Sequence, residues 1–380
     1  MRGLAGRRHA FPSLLFPKVP SVTISNCRYA STAPLKQEQV IFSGIQPTGV
    51  PHLGNYLGAL RQWTKLQDES HASTKLIYSI VDLHAITVRQ DPEQLRKWKR
   101  ETMAVLLAVG LNPERSIIFH QSMVPAHTEL MWILSCTASM GYLSRMTQWK
   151  SKLSLPDDSS PLATGPKATL KFGLFSYPVL QAADVLVHRA THVPVGEDQQ
   201  QHIEFARDCA AGFNHVYSQQ LPLPQTILSP ARRVMSLKQP HLKMSKSHDD
   251  PRSRILLTDT PEEIQYKIKQ ALTDSFEGIS YEKEQRPGVS NLIEILSYIQ
   301  PREISCEEIV ASCRGLTMRQ FKEKVADCII DHLLPIRNEY YRVLEADNGK
   351  YVDHVSAMGA RKAEHSADAT MSIVRSAVGL

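Results

Sequence analysis

Two lysines three residues apart stand in Lys243-Met244-Ser245-Lys246-Ser247, between Pro240 and Asp249-Asp250-Pro251. An ammonium on a flexible stem is a mobile point charge, and hydroxyls beside it add donors, so the stretch suits phosphate contact. A second stretch suits the same chemistry from the backbone side. After the apolar Val40-Ile41-Phe42-Ser43, a Gly/Pro segment over residues 44–49 leads into His52-Leu53-Gly54-Asn55. Glycine permits close backbone approach, and a helix N-terminus offers unpaired amides and a positive dipole end to an anion. The spacing is neither GxGxxG nor a Walker loop, which leaves a dinucleotide fingerprint and a P-loop without support. The third candidate is Asp184, the lone carboxylate of Val179-Leu180-Gln181-Ala182-Ala183-Asp184-Val185-Leu186-Val187. A buried carboxylate is costly unless hydrogen-bonded, so Asp184 is a cap, a salt-bridged core residue or a ligand contact.

These residues need a scaffold, and the apolar pattern supplies one. Short strands are predicted at residues 40–43, 76–81, 116–120 and 192–195. Between them the spacing predicts a helix from His52, with Leu57, Leu60, Trp63 and Leu66 on one face. A second runs over 91–109, with Asp91 as cap and Pro92 at its first position. Strand–helix alternation with long crossovers means an α/β fold, a doubly wound parallel sheet. Helical segments are also expected at 126–140 and 197–211, a mostly apolar helix or strand–helix boundary at 177–188, and a loop or insertion at 151–171. Beyond residue 260 the pattern is helical throughout. The expected domains are a targeting presequence (1–36), a Rossmann-like catalytic domain (37–235), the lysine-loop region (236–260) and an all-helical C-terminal domain (261–380).

Charge sharpens this division. The chain of 380 residues has 44 Lys and Arg against 38 Asp and Glu, a net charge of +6. Arg2, Arg7, Arg8, Lys18, Arg28 and Lys36 lie in the first 37 residues, which hold no acid, so the remainder is neutral. No global basic field is left to attract nucleic acid, and RNA contact would rely on local patches. The acid-free, Arg- and Ser-rich start fits a mitochondrial (matrix) presequence processed near Ala30 or Ser31. The longest apolar run, residues 103–111, is too short to span a bilayer, and no membrane association is expected. The six cysteines form no CxxC pair, so no bound metal is expected and the thiols read as core fillers.

In combination, the His-Leu-Gly-Asn stretch after the first strand and the Lys-Met-Ser-Lys-Ser loop after the last resemble the two class I aminoacyl-tRNA synthetase signatures. Within that class, residues 40–380 resemble the tryptophanyl enzymes of bacterial and organellar type. The likeness includes Ile41-Phe42-Ser43-Gly44-Ile45-Gln46-Pro47, Ile80-Val81-Asp82-Leu83-His84-Ala85-Ile86-Thr87, Met146-Thr147-Gln148, Val193-Pro194-Val195-Gly196-Glu197-Asp198-Gln199 and Thr273-Asp274-Ser275.

The resemblance implies activation of L-tryptophan by ATP with Mg2+, transfer to tRNA(Trp), and a homodimer. It implies chemistry at His52, Asn55, Lys243, Lys246 and Ser247. The family's ATP contacts fall on Gln46, Pro47, Thr48, Gly54, Asn55, Gly196, Glu197, Asp198, Val234, Lys243, Met244, Ser245, Lys246 and Ser247, with Lys150 and Lys152 near the phosphates. For tryptophan it implies Asp184 on the indole N–H and Tyr177 and Gln199 on the ammonium. The pocket would be lined by Phe42, Val81, Val193 and Val195, with His84 nearby. Two positions depart from the bacterial pattern: His52 replaces Thr, and Gln181 replaces Met, a substitution that also occurs in related tyrosine enzymes. The rival readings are a tyrosyl enzyme of the same subclass, an RNA-binding or splicing accessory protein, and a nucleotidylyltransferase. The helical C-terminal domain would read the anticodon, with Arg302, Arg314, Arg319, Lys322 and Lys324 as candidates.

Overall fold

Strand β1 (Val40–Ile45) lies at the centre of a sheet, between β2 (Lys75–Ile80) and β4 (His192–Val195). Strand β3 (Ile117–His120) borders β2 and β5 (Gln225–Leu228) borders β4, giving the order β3-β2-β1-β4-β5 with every pairing parallel. Helices cover both faces, so the strands read as apolar runs rather than alternations: Leu76 to Ile80 are all buried. The computed structural model describes residues 38–153, 156, 159, 170–196, 199–218, 221–228, 233–246, 248–300, 302 and 304–380. Expectations for residues 1–36, most of 151–171, Glu197, Asp198 and Ser247 lie outside the described residues.

The crossovers carry the expected helices. After β1 come α1 (Leu53–Asn55), a π-helical turn (Tyr56–Leu60) and α2 (Arg61–Glu69). After β2 come α3 (Asp82–Ala85) and α4 (Pro92–Ala108); the Asp91 carboxylate accepts from the Gln94 amide at 2.8 Å, with Pro92 at the first position. Between β3 and β4 lie α5 (Ala126–Ser135), α6 (Met140–Arg145), α7 (Gln148–Lys152) and α8 (Phe172–Val187). The segment expected over 126–140 ends as α5 at Ser135, and a separate helix, α6, starts at Met140, where Ser139 caps it by accepting from the Tyr142 amide. Residues 148–152 are helical where a loop was expected from 151. Helix α8 begins five residues before the predicted 177 and accommodates Pro178 in its second turn. Helix α9 (Gln200–Tyr217) leads to β5, a four-residue strand the apolar pattern does not reveal.

The chain then forms α10 (Pro261–Lys269), α11 (Pro287–Ile299), α12 (Cys306–Ser312), α13 (Met318–Glu345) and α14 (Tyr351–Val378). Reciprocal capping boxes start three of them: Thr260 with Glu263, Ser305 with Glu308, and Thr317 with Gln320. Three basic residues nominated for RNA have intramolecular partners. Lys322 donates to the Ala271 carbonyl at 2.8 Å, Lys324 to the Ser312 carbonyl at 3.2 Å, and Arg319 pairs with Glu323 at 2.9 Å. Helix α14 does not stay with its neighbours. It returns to pack on β3, and Ala363, Ala367, Met371 and Val374 join one apolar core with Phe119 and Ile77. Residues 38–380 form one compact unit.

Candidate active site

In an open parallel sheet, ligands bind beyond the carboxyl ends of the strands where the winding reverses. Here that point lies between β1 and β4, and a cavity of about 320 Å3 opens there. Its size is in the range of small-molecule sites, about 300–1,000 Å3. Phe42 and Gly44 from β1 and Val193 and Val195 from the neighbouring β4 line it side by side, and the Ser43 hydroxyl ties the strands by donating to the Pro194 carbonyl at 3.3 Å. Val81 and His84 enter from the end of β2 and from α3; Tyr177, Gln181 and Asp184 enter from α8. Gln46, Lys152, Gly196 and Gln199 complete the part of the lining the sequence singled out. Gly58 and Ala59 also line it, so the π-helical turn forms part of the wall, a common place for such an irregularity.

Asp184 is the buried polar centre of this cavity, with 1% of its surface exposed. Its Oδ1 lies 2.6 Å from Gln121 Nε2 and 2.7 Å from His127 Nδ1; its Oδ2 lies 2.8 Å from His84 Nε2. Burial raises the carboxyl pKa, but the bonds from His127 and His84 outweigh it and bring the pKa down to about 2. An ionised carboxylate only accepts, so His84 carries its proton on Nε2 and His127 on Nδ1. Of about four lone-pair directions three are filled, and the fourth belongs to Oδ2. The two readings of the sequence therefore meet. Asp184 is a hydrogen-bonded core residue, and it retains one acceptor direction on a cavity wall.

Around it, the Tyr177 hydroxyl lies 2.9 Å from Gln148 Oε1 and 2.8 Å from His202 Nε2, and the Lys152 ammonium sits 4.9 Å from the Tyr177 ring centre. Gln181 Nε2 approaches Gln199 Oε1 at 3.4 Å, a long contact. Lys150 is buried, its ammonium 5.5 Å from the Trp149 ring centre.

The two phosphate-suited stretches also meet. His52 Nδ1 accepts from the Asn55 amide at 3.2 Å while Asn55 Oδ1 accepts from the His52 amide at 3.1 Å, a reciprocal cap on α1. The Leu53 amide donates to the Ile255 carbonyl at 2.8 Å, tying this cap to the segment after the lysine loop. That loop leaves a narrow hairpin in which Met235 bridges Lys243 and the Met244 amide donates to the Val234 carbonyl at 2.9 Å. Met244 and Val234 are buried; Lys243 is exposed; Ser245 is half-buried. Gly54 leaves little room: a Cβ there would stand 3.1 Å from the His52 ring and 3.5 Å from Val234. Lys246 reaches back to donate to the Gly49 carbonyl at 2.6 Å, at a turn where φ of +108° requires glycine. Pro47 is buried in this turn, and the Thr48 amide donates to the Gln46 carbonyl at 3.0 Å. Burial, then Lys246, Lys243 and Arg254, hold the His52 pKa down to about 3, so a neutral imidazole sits amid cations. Burial and Arg254 bring Lys246 down to about 8. The arrangement is an electropositive notch beside an apolar, acid-floored cavity.

Sequence reasoning missed Gln121, His127 and His202, the partners of Asp184 and Tyr177, and Gly58, Ala59 and Trp63 in the wall. The only signal for the first two was that Asp184 in an apolar run must find donors elsewhere. The Thr273-Asp274-Ser275 block has a structural use: Arg286, buried, donates to the Asp274 carboxylate at 2.7 and 3.0 Å.

Residues 35–333 match the family model of tRNA synthetases class I (W and Y). The chain is 44% identical over 350 residues to the mitochondrial tryptophan–tRNA ligase of Schizosaccharomyces pombe, covering 90% of this chain and 95% of that one. It is 43% identical over 343 residues to the tryptophan–tRNA ligase of Clostridium tetani, covering 90% and 96%. A crystal structure of tryptophanyl-tRNA synthetase from Campylobacter jejuni, complexed with ADP and tryptophan, superposes with a TM-score of 0.74 at 29% identity, covering 90% of this chain and all of that one.

Proposed function

The chain belongs to the class I tRNA synthetases that serve tryptophan and tyrosine, and we propose that it joins L-tryptophan to tRNA(Trp) through a tryptophanyl-adenylate, with mitochondrial translation as its setting. The observation that carries the choice of amino acid is Asp184, its one remaining acceptor direction on the wall of an otherwise largely apolar cavity. An indole N–H satisfies that direction. In this reading Phe42, Val81, Val193 and Val195 hold the ring, Tyr177 and Gln199 the ammonium, and Gln181 and His84 border the indole.

The attacking group is the substrate carboxylate, ionised at neutral pH, so no serine, cysteine or general base is needed. The protein's work is placement and stabilisation of charge on the α-phosphate and the departing pyrophosphate. His52, Gly54, Asn55, Val234, Lys243, Met244, Ser245 and Lys246 supply the notch for ATP, together with Gln46, Pro47, Thr48, Gly196, Lys150 and Lys152. Glu197, Asp198 and Ser247 take their places from the resemblance alone. Among the described residues no group of three or more His, Cys, Asp or Glu side chains is placed to hold a resident metal. Mg2+ is proposed to enter with ATP, held by phosphate oxygens.

The division into a catalytic part (37–235), a lysine-loop region (236–260) and an anticodon-reading part (261–380) belongs to the same proposal, as does a homodimer. The acid-free stretch before Gln37 supports mitochondrial import, and a fusion of residues 1–36 to a fluorescent protein tests it. Among the described residues no helix is long and apolar enough to cross a membrane. The deciding experiment is ATP–pyrophosphate exchange on protein lacking residues 1–30, with each amino acid, followed by charging of tRNA(Trp). Tryptophan-dependent exchange is expected. Exchange with tyrosine instead indicates the sister specificity, and RNA binding without exchange an accessory role.

A further inference from the structure

Three donors hold Asp184, and they approach from different sides. His84 borders the cavity, whereas Gln121 and His127 stand behind the carboxylate, outside the lining. Gln121 is anchored independently, since its Oε1 accepts from the Leu83 amide at 3.1 Å. His127, on α5, is wholly buried. Its ring is wedged between Phe119, with centres 5.7 Å apart, and His188, with centres 5.1 Å apart. Those contacts fix the ring plane and thus the direction of Nδ1–H. Among the described residues Nε2 has no hydrogen-bond partner, so the only polar contact this imidazole makes is the one to Asp184. Burying a histidine with half its polarity unmet is a cost, and a leucine would pack there without it.

We infer that His127 is a positioning residue for amino-acid specificity: by filling Oδ1 from behind, together with Gln121, it turns the single open lone pair of Oδ2 toward the ligand's ring N–H. This rests on the reading of the cavity as a tryptophan pocket and adds what sets its selectivity. Without the His127 donor, Oδ1 keeps an unmet lone pair and the carboxylate can rotate, so a ligand N–H no longer meets a unique acceptor. A site with a unique unmet acceptor penalises a ligand that lacks the donor, and one with an adaptable acceptor penalises it less.

The test measures kcat and KM in ATP–pyrophosphate exchange for tryptophan and for 3-(benzothien-3-yl)alanine, its isostere with sulfur in place of N–H. Wild type, His127→Leu, His127→Asn and His127→Gln are compared. Asparagine places its amide nitrogen where the imidazole Nδ1 lies; glutamine carries its own beyond that point. For His127→Leu we expect the preference for tryptophan to fall at least about tenfold, through a higher KM for tryptophan with KM for ATP unchanged. His127→Asn should restore most of the preference and His127→Gln should not. A preference unchanged in His127→Leu overturns the assignment, as does equal loss toward both amino acids. If His127→Leu does not fold, equal preferences in the Asn and Gln variants overturn it. Wild-type protein that activates tyrosine but not tryptophan overturns the functional reading itself, a result visible before any variant is made.

Discussion

At the scale of single residues, the proposed site sets a carboxylate, Asp184, for the amino acid beside two lysines, Lys243 and Lys246, for the phosphates of ATP. Asp184→Asn keeps the shape but replaces an acceptor by a donor facing donors. We expect kcat/KM for tryptophan to fall about 100-fold, with the affinity for ATP nearly unchanged; unaltered tryptophan kinetics would refute the role. Lys246 offers a second test through its pKa of about 8. It is charged below that value and neutral above it, so kcat/KM for ATP, which reports the unliganded enzyme, should decline as pH rises through 8. Lys246→Ala should abolish that limb and lower the activation rate more than it weakens tryptophan binding. An alkaline limb that persists in the alanine variant would assign it to another group. Asp184 and the two lysines were legible because their types are conspicuous in their surroundings. His127 was not: one histidine in a helix carries no mark of a carboxylate 57 residues away.

At the scale of elements, the strands and their crossovers were readable because burial on both faces writes itself as continuous apolar runs. Strand β5 escaped because four residues, Gln225-Thr226-Ile227-Leu228, carry too little pattern and gain their pairing only from β4. The start of α8 escaped because Pro178, its seventh residue, argues against a helix interior, where it forgoes one internal bond that the packing of the rest of the helix offsets. The return of α14 to the sheet had a quieter signal in its small residues. A Cβ at Gly359 would overlap the Ile118 carbonyl oxygen, a backbone atom that cannot swing aside. Gly359→Ala should therefore push α14 off β3 and cost about 1–3 kcal/mol, seen as a lower thermal midpoint. An unchanged midpoint would mean that the helix can shift without loss.

At the scale of the whole molecule, buried histidines set how the protein meets acid. His52 and His120 have pKa values of about 3 and about 4, each through burial first, and burial keeps His188 well below the usual range. In the unfolded chain all three take protons near pH 6.5, so their contribution is intact above that pH and lost as pH falls below it. Each contributes up to about 1.4 kcal/mol per pH unit in that window. Asp184 acts in a lower window, its contribution present above pH 3.8 and lost as pH falls toward 2. Urea unfolding at pH 7.5 and 5.5 should show a clearly lower midpoint in the acidic buffer. Replacing His188 by Gln should reduce the difference, and equal midpoints in the wild type would refute the account. The returning helix bears on synthesis as well. Strand β3 is made early, but the apolar strip that covers it, from Val352 to Val374, is made more than two hundred residues later. A nascent chain can thus carry every cavity residue while one face of its sheet still lacks its cover. For that interval the nascent polypeptide exposes apolar sheet surface, the condition in which chains aggregate or engage chaperones.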